Sequence, residues 1–452
     1  MSARAPESSA ALAAPISGRA PRVAVRTLGC KVNQVESEQI VAELLGAGWE
    51  AVSEDSADVV VVNTCTVTGE SDSKARKTIR HALRLPGRPS IVVTGCLAAV
   101  DATGLRALDG RVIVEHDVAK VAEQVSLAAG VRSVPPATPP VRSGEAFHTR
   151  AMVKIEDGCD AFCTYCIVPY ARGLPRSVPA DTVLRECEAL VESGVREIVL
   201  TGINLGRYED SGLDVSGLIR RIASSGIPRL RISSIEPLDL TEELLETLGA
   251  TPAVCEHLHV PLQSGNDAVL RDMGRSYTTG DFARRLDAAR QAIPGLAVST
   301  DVIVGFPGET ETQAEETRQF CLAMGFARLH VFRYSARSGT PAADRVDHVD
   351  PRERADRAQR MRVLDAELRG RHGRSRVGEV AEVLVERVAT DDGSGLPFAV
   401  GTTRDYLRVR FAAPTAADTC PVGALVPVRL ETVTSATVTG SIVAGTDVER
   451  RG

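Results

Sequence analysis

In the N-terminal part of the chain, short runs of β-branched residues alternate with stretches of helical periodicity. The apolar runs cover residues 23–30, 57–65, 90–96 and 111–118. Short apolar runs that are bounded by turn residues and separated by amphipathic helices are typical of βαβ units, whose strands form a parallel sheet. We therefore expect an α/β domain with a parallel sheet at the N-terminus.

Between Met152 and Ser335 the alternation continues with six strand-like runs. These runs span residues 152–158, 197–202, 229–234, 257–262, 297–306 and 328–335. A closed (β/α) barrel has eight strand–helix units, so a partial (β/α)6 barrel is predicted here. The Arg-rich helix predicted for residues 351–370 would leave this barrel.

After Val377 the pattern changes to β-rich segments that are separated by glycines, which predicts a small antiparallel β-barrel. The fold class is therefore α/β, with this barrel added at the C-terminus. The expected organisation is a disordered tail over residues 1–21, an N-terminal domain over 22–132, a proline-rich linker over 133–144, a barrel core over 145–375 and the β-domain over 376–445.

Composition narrows the class of protein. A net charge of −6 and a hydrophobic content of 43% exclude wholesale disorder and a globally basic nucleic-acid binder. No apolar stretch approaches the roughly 18 residues that a membrane-spanning helix needs. The segment from Met1 to Ala20 lacks the apolar core of an export signal, so we expect a cytoplasmic protein with no membrane partner. Ten cysteines in a reducing compartment favour metal binding or redox chemistry over disulfides.

Three cysteines, Cys30, Cys65 and Cys96, each end a predicted parallel strand, and we call them the N-terminal cysteine set. The spacing from each of these cysteines to the next matches the length of one βα repeat. Because parallel strands end at one edge of a sheet, the three thiols are expected to lie close together. Three thiolates could hold zinc or an iron–sulfur cluster, and their spacing does not decide between the two.

A second group, Cys159, Cys163 and Cys166, has C-x3-C-x2-C spacing and follows the first predicted barrel strand; we call it the barrel cysteine set. Structural zinc normally has four ligands, and this loop holds no fourth Cys or His. A [4Fe–4S] cluster on three cysteines leaves one iron open to an external ligand. An open iron at the mouth of a barrel predicts a catalytic site, the alternative being a zinc knuckle that borrows a distant ligand.

With Tyr165 before the last cysteine, this loop resembles the signature of the radical S-adenosylmethionine superfamily. The terminal β-domain resembles the RNA-binding TRAM domain, and GCKVNQ at residues 29–34 is most like the methylthiotransferases that act on threonylcarbamoyladenosine in tRNA. Other segments resemble methylthiotransferases of that superfamily and occur in the family's order, at residues 27–38, 61–68, 94–96, 233–237, 261–265, 273–278 and 301–310.

The resemblance implies two [4Fe–4S] clusters and S-adenosyl-L-methionine as cofactors. The cluster on the barrel cysteine set would be catalytic and would cleave one S-adenosylmethionine to a 5′-deoxyadenosyl radical. The cluster on the N-terminal cysteine set would carry sulfur that a second S-adenosylmethionine methylates. The implied product carries a methylthio group on C2 of N6-threonylcarbamoyladenosine at position 37 of the tRNA. The implied partners are the anticodon stem-loop and an electron donor such as flavodoxin or ferredoxin.

The resemblance also suggests residues around the cofactor and the substrate. Arg275 and Tyr277 are candidates for contacts to RNA. The candidates for binding S-adenosylmethionine lie in the cysteine loop or at strand ends, and they are Tyr165, Asn204, Glu236 and Gln263. Each of the three at strand ends could instead brace a loop.

Two alternative substrates fit the same family resemblance, namely N6-isopentenyladenosine in tRNA and an aspartate of a ribosomal protein. Two basic runs, at residues 74–88 and 352–376, could follow an RNA backbone or could be solvated helix faces. The β-domain is less suited to RNA, because residues 377–445 contain eight acids and five arginines.

Iron content separates the enzyme from its rivals. We expect brown protein after anaerobic purification, with up to about eight irons per chain if both sets hold [4Fe–4S] clusters. Iron, sulfide and zinc analysis of the purified chain measures this. A zinc-dependent enzyme would be colourless and free of sulfide, and a simple RNA-binding module would have no use for the six patterned cysteines.

Overall fold

The computed structural model describes residues 19–131, 149–391, 395–413, 420–434 and 437–443. The predicted linker 133–144 and positions 1–18 of the predicted tail lie outside these ranges. The chain divides into two compact units. Among the described residues, the first contains 19–131 together with Cys166–Leu174 and Ser335–Arg337, and the second contains the others. None of the described helices is both long and apolar enough to cross a membrane.

The first unit is built on a five-stranded sheet in the order β2-β1-β3-β4-β5, and every neighbouring pair in it is parallel. The predicted parallel α/β domain is therefore confirmed. Its elements are β1 (Arg22–Thr27), α1 (Lys31–Gly46), β2 (Glu50–Ala51), β3 (Val59–Thr64), α2 (Gly69–Ala82), β4 (Ser90–Gly95), α3 (Cys96–Val100), α4 (Ala102–Arg106), β5 (Val112–Val114), α5 (Val118–Ala128) and α6 (Val168–Arg172).

The valine run of β3 explains why this sheet is covered on both faces. Val60 and Val62 pack in a cluster with Ile79 of α2. Val59 and Val61 belong to a separate cluster that contains residues of α1 and α5. Because successive side chains of a strand point to opposite faces, an uninterrupted valine run requires helices on both sides.

The second unit contains six parallel strands that follow chain order. β6, β9 and β12 form one parallel sheet, β13, β14 and β15 form another, and a parallel bridge between Ser234 and His259 connects them. This arrangement confirms the partial (β/α)6 barrel. The elements are β6 (Ala151–Lys154), β7 (Glu156–Asp157), β8 (Arg176–Ser177), α7 (Ala180–Glu192), β9 (Glu197–Thr201), β10 (Glu209–Asp210), β11 (Leu213–Asp214), α8 (Val215–Ala223), β12 (Arg229–Ile232), α9 (Glu242–Ala250), β13 (His257–His259), α10 (Asp267–Asp272), α11 (Thr279–Ala292), β14 (Ala297–Val304), α12 (Glu311–Met324), β15 (Arg328–Arg333) and α13 (Pro351–Ser375).

The expectation that the Arg-rich helix leaves the barrel is wrong. Helix α13 extends to Ser375, and its residues Met361, Leu364 and Leu368 are buried in the same apolar cluster as the barrel strands. These residues recur every three or four positions, so they form one apolar stripe on a helix that is otherwise strongly charged. The stripe holds the helix against the sheet.

The C-terminal segment forms the small barrel that was predicted, with strands in the closed order β16-β17-β18-β20-β19. Neighbouring strands are antiparallel except β18 and β20, which run parallel. Alternate residues such as Val383 and Val385 fill its interior. The strands are β16 (Val380–Thr390), β17 (Pro397–Thr403), β18 (Arg408–Ala412), β19 (Leu425–Thr434) and β20 (Thr437–Ile442).

A buried ionic cluster joins this barrel to the parallel strands. Glu197, at the start of β9, is completely buried and accepts hydrogen bonds from Arg231 at 3.0 and 3.1 Å. Arg229 lies 2.8 Å from the same carboxylate. Arg231 also donates to the backbone carbonyls of Thr403 and Arg404, at 3.2 and 2.9 Å. Both arginines thus pair with one carboxylate, and Arg231 also holds the backbone at and just beyond the end of β17.

Replacing Glu197 by Ala leaves two arginines buried without their carboxylate, and we expect a loss of about 3–5 kcal/mol in the free energy of unfolding. Burial alone would raise the pKa of Glu197, but Arg231 and Arg229 outweigh it and lower the pKa to about 2. The stabilisation is therefore complete above about pH 5 and is lost as the pH falls towards 2. Urea denaturation across this pH range measures both effects. Glu192→Ala, at an exposed position of α7, is the control; an equal loss in both variants would show that the ion pair with the two arginines does not supply this stability.

Candidate functional site

The N-terminal cysteine set lies at the edge of the sheet where its parallel strands end. Cys65 directly follows β3, Cys96 directly follows β4, and Cys30 lies three positions beyond β1. Burial raises the pKa of Cys96 to about 12; Arg172 opposes this rise, and negative charge on Cys30 and Cys65 adds to it. The three thiols are therefore close enough to influence one another's ionisation.

Two glycines allow the loops that carry these cysteines to approach each other. Gly29 has a φ of +113°, and a Cβ atom there would lie 2.5 Å from the Cβ of Cys65. Gly95 has a φ of +85°, and a Cβ atom there would lie 2.3 Å from the carbonyl oxygen of Thr64. Neither distance leaves room for a side chain, so both positions require glycine.

A buried amide network fixes the same edge. The side chain of Asn33 donates to Asn63 Oδ1 at 2.8 Å and to the Thr64 carbonyl at 3.0 Å. Asn63 in turn donates to the Asn33 carbonyl and to Ser37 Oγ. Sequence reasoning assigned no role to the two asparagines, although both lie in the family-like segments 27–38 and 61–68.

An arginine that the sequence analysis missed lies beside these thiols. Arg172 ends helix α6, and only 7% of its side chain is exposed. Its Nε donates to Cys96 Sγ at 3.2 Å, and its Nη1 donates to Glu36 Oε1 at 2.8 Å. Its Nη2 donates to Asn33 Oδ1 at 3.3 Å. Six positions beyond Cys166, this residue could have been noticed as a basic side chain near a cysteine loop, but its partners are distant in sequence.

The barrel cysteine set occupies the loop between β7 and α6. Cys163 is buried, and Cys159 and Cys166 are half-buried. Cys159 and Cys163 belong to the second unit, whereas Cys166 begins the segment Cys166–Leu174 of the first unit. Thr164 anchors the loop, because its backbone N–H donates to the Met273 carbonyl at 3.0 Å and its hydroxyl donates to the Asp272 carbonyl at 2.8 Å.

Arg275 and Tyr277, the candidates for RNA contacts, are both buried in a polar network around Cys163. Arg275 donates to Cys163 Sγ at 3.2 Å and to the Tyr277 hydroxyl at 3.1 Å, and it forms an ion pair with Glu236. The Tyr277 hydroxyl donates to the Leu262 carbonyl at 2.9 Å. These contacts favour a bracing role for both residues, and a contact with RNA stays a prediction.

The other cofactor candidates lie at strand ends of the second unit. Asn204 is 5% exposed, and its backbone N–H donates to Glu156 Oε2 at 2.7 Å. Burial raises the pKa of Glu156 to about 7. Gln263 has a φ of +66°, and its backbone pairs with β14 at Val302. The rings of Tyr165 and Phe306 pack edge to face, with their centroids 6.4 Å apart.

Two histidines on β13 have their hydrogen-bond partners inside the barrel. His257 Nε2 and His259 Nδ1 both lie 3.0 Å from Ser299 Oγ. The opposite nitrogen of His259 lies 3.2 Å from Asp301 Oδ1. Sequence reasoning did not identify the aspartate as their neighbour.

The donors of the N-terminal cysteine set suit an iron–sulfur cluster. No three Cys, His, Asp or Glu side chains of the described residues lie close enough to share one metal ion. Iron–sulfur clusters are held by cysteine thiolates, and the three thiols at this glycine-lined edge, with Arg172 beside Cys96, supply donors of that type.

Comparison with known proteins identifies the family. Residues 153–321 match the radical SAM superfamily, and residues 22–114 match the uncharacterized protein family UPF0004. A threonylcarbamoyladenosine tRNA methylthiotransferase from Bacillus subtilis is 40% identical over 408 residues, which cover 86% of this chain and 90% of that protein. The chain belongs to the radical S-adenosylmethionine methylthiotransferase family. The expected family and enzyme class are thereby confirmed.

Other members of the methylthiotransferase family are similar over most of the chain. A threonylcarbamoyladenosine tRNA methylthiotransferase from Chlamydia pneumoniae is 35% identical over 92% of this chain and 97% of its own length. A tRNA-2-methylthio-N(6)-dimethylallyladenosine synthase from Thermus thermophilus is 34% identical over 94% of this chain and 92% of its own length. The radical S-adenosylmethionine methyltransferase TsrM from Kitasatospora setae shares the fold, with a TM-score of 0.54 and 17% identity over 71% of this chain and 76% of that one.

Gly95 offers a test of how closely the thiol-bearing loops must approach. Its φ of +85° and ψ of −166° are accessible essentially to glycine alone, so Gly95→Ala should destabilise the protein by about 1–3 kcal/mol. The midpoint temperature of thermal unfolding and the iron content per chain measure the effect, and both values should be lower than in the native protein. Gly110→Ala is the control, because nothing lies within 4 Å of a Cβ atom there. Unchanged iron content in Gly95→Ala would contradict the prediction.

Proposed function

We propose that this chain is a cytoplasmic tRNA methylthiotransferase that installs a methylthio group on C2 of N6-threonylcarbamoyladenosine at position 37. The observation that best supports this proposal is that Cys30, Cys65 and Cys96 lie at one sheet edge, in a chain that also contains the C-x3-C-x2-C loop. Two three-cysteine sets suit a reaction that needs both a radical source and a sulfur donor. Relatives named for this substrate, at 34–40% identity, support the same choice.

In this proposal the barrel cysteine set holds one [4Fe–4S] cluster and leaves an iron open for S-adenosylmethionine. When bound, that cluster supplies the electron that cleaves the sulfonium and generates the 5′-deoxyadenosyl radical. The protein's task is to orient the cofactor and exclude water. Asn204, which is buried, and Glu236, which is half-buried, supply polar contacts to S-adenosylmethionine near the strand ends, and Tyr165 and Gln263 complete its site.

The N-terminal cysteine set holds the second [4Fe–4S] cluster, whose chemistry is to carry the sulfur that a second S-adenosylmethionine methylates. Metal ligands must be deprotonated, and burial raises the pKa of both Cys65 and Cys96. Binding a cluster therefore releases protons from these thiols and repays the cost of their ionisation. An electron donor such as flavodoxin or ferredoxin completes the system.

Exposed basic residues support tRNA as the substrate. Residues 74–88 contain no acid, so they offer RNA phosphates a positive surface. The second basic run differs, because Arg357, Arg360 and Arg371 of α13 all form ion pairs with glutamates. We therefore assign the anticodon stem-loop contact to the first run, whose exposed members are Lys74, Lys77, Arg80, Arg84 and Arg88.

A second candidate substrate is N6-isopentenyladenosine in tRNA. The relatives from Thermus thermophilus and Frankia casuarinae, at 34% and 37% identity, are named for dimethylallyladenosine. Identity across the whole chain therefore separates the two substrates only weakly. The segment GCKVNQ favours threonylcarbamoyladenosine.

Mass spectrometry of nucleosides from bulk tRNA tests the proposal. Cells that lack the gene should lose methylthio-threonylcarbamoyladenosine and accumulate its precursor, because the step that adds the sulfur is then missing. The native gene should restore the product, and a Cys96→Ala variant expressed to the same level should not. Loss of the isopentenyl derivative instead would move the enzyme to the second substrate. An unchanged tRNA profile would overturn the proposal and point to a ribosomal-protein aspartate.

A further inference from the structure

Arg172 brings a charged side chain into hydrogen-bond contact with a sulfur of the N-terminal cysteine set. The residue itself comes from α6, the helix that follows Cys166 in sequence. The contact is well formed, because the Nε–Sγ distance is 3.2 Å and both side chains are buried. A buried arginine beside a buried thiol needs an explanation in terms of charge.

Glu36 binds the Arg172 guanidinium through both of its carboxylate oxygens. The distances are 2.8 Å from Nη1 to Oε1 and 3.3 Å from Nη2 to Oε2, and only 1% of the Glu36 side chain is exposed. An ion pair this deeply buried gains little net stability, because both charges lose their hydration. Stability therefore does not account for the Arg172–Glu36 pair. The hydrogen bond from Arg172 to Cys96 indicates that the pair acts on this sulfur.

Hydrogen bonds to cluster sulfurs and nearby charge are the main ways in which a protein sets the reduction potential of an iron–sulfur cluster. A donor or a positive charge favours the reduced state, since reduction adds negative charge. Arginine suits this position because its planar fork serves a carboxylate and a sulfur at once. A lysine in the same place would supply charge without the fork.

We propose that Arg172 is a positioning residue of the N-terminal cysteine set, which holds the Cys96 sulfur through its Nε hydrogen bond and raises the reduction potential of the cluster bound there. Glu36, its ion-pair partner, holds the guanidinium in place and offsets part of its charge. This inference rests on the proposed function, in that the set must hold a redox-active cluster.

Arg172 and Glu36 carry opposite charges, so removing one or the other should shift the midpoint potential of the cluster in opposite directions. Removing the positive charge in Arg172→Met should lower the midpoint potential of the cluster. Removing the negative charge in Glu36→Gln should raise it, since Arg172 is then unopposed. A purely structural ion pair would give the same result from either side, namely loss of cluster or of stability.

The experiment is a redox titration followed by electron paramagnetic resonance. The parent protein carries Cys159→Ala, Cys163→Ala and Cys166→Ala, so that the signal comes from the N-terminal cysteine set alone. Into this parent we would introduce Arg172→Met, Arg172→Lys and Glu36→Gln. The midpoint potential of Arg172→Lys should lie between those of the parent and Arg172→Met, because lysine keeps the positive charge but cannot donate to the sulfur and the carboxylate at once.

Two further variants guard against failure to fold. Arg172→Met combined with Glu36→Gln removes both charges, so it leaves no buried carboxylate unpaired. Its potential should lie below that of Glu36→Gln by the contribution of Arg172. Arg111→Met is the control for loss of an arginine, since Arg111 bonds to Asp109 and to the Leu83 carbonyl. It should leave the potential unchanged.

The outcomes separate this inference from the proposed function. Potentials that match the parent in both Arg172→Met and Glu36→Gln, or that move in the same direction in both, would overturn the role of Arg172 and leave the function standing. A parent protein without any iron–sulfur signal after anaerobic reconstitution would overturn the second cluster, and this inference with it.

Discussion

Parallel strands end at a common edge, and the chemistry of this protein depends on that constraint. Cys65 and Cys96 follow adjacent parallel strands directly, so thiols separated by a whole βα repeat are brought to the same edge of the sheet. The valine-rich strands of the first sheet fix the edge by packing helices against both of its faces. What the edge then needs is close approach, and glycine at positions 29 and 95 provides it where a Cβ atom would collide with the neighbouring loop.

The two cysteine sets share one local arrangement. In the first unit Arg172 donates to Cys96 and is paired with Glu36. In the second unit Arg275 donates to Cys163 and is paired with Glu236. In each set one buried sulfur thus has a guanidinium beside it, and each guanidinium has its own carboxylate. Burying a thiolate is costly unless positive charge lies nearby, and the paired acid keeps that charge from being left alone when the sulfur is protonated.

The terminal barrel is held by backbone carbonyls as much as by apolar packing. Arg229 and Arg231 extend from β12 to the carbonyls at the end of β17, and Glu197 of β9 pairs with both of them. Tyr406 completes this contact by stacking on His257 at 4.7 Å and lying 4.6 Å from Arg231.

Hydrophobic periodicity by itself determined the parallel sheet, the six-stranded partial barrel and the closed β-barrel, because burial of alternating or continuous apolar runs leaves few ways to pack. The cysteine spacing likewise determined which thiols share a sheet edge. It did not determine the charged neighbours: Arg172 with Cys96, Arg275 with Cys163 and Asp301 with His259 are each far apart in sequence or unmarked by any period. The prediction that helix α13 leaves the barrel was wrong, because its many arginines made the narrow apolar stripe hard to recognise in the sequence. Periodicity records how deeply a residue is buried, whereas the partner of a buried charge is decided only when the tertiary structure brings two distant segments together.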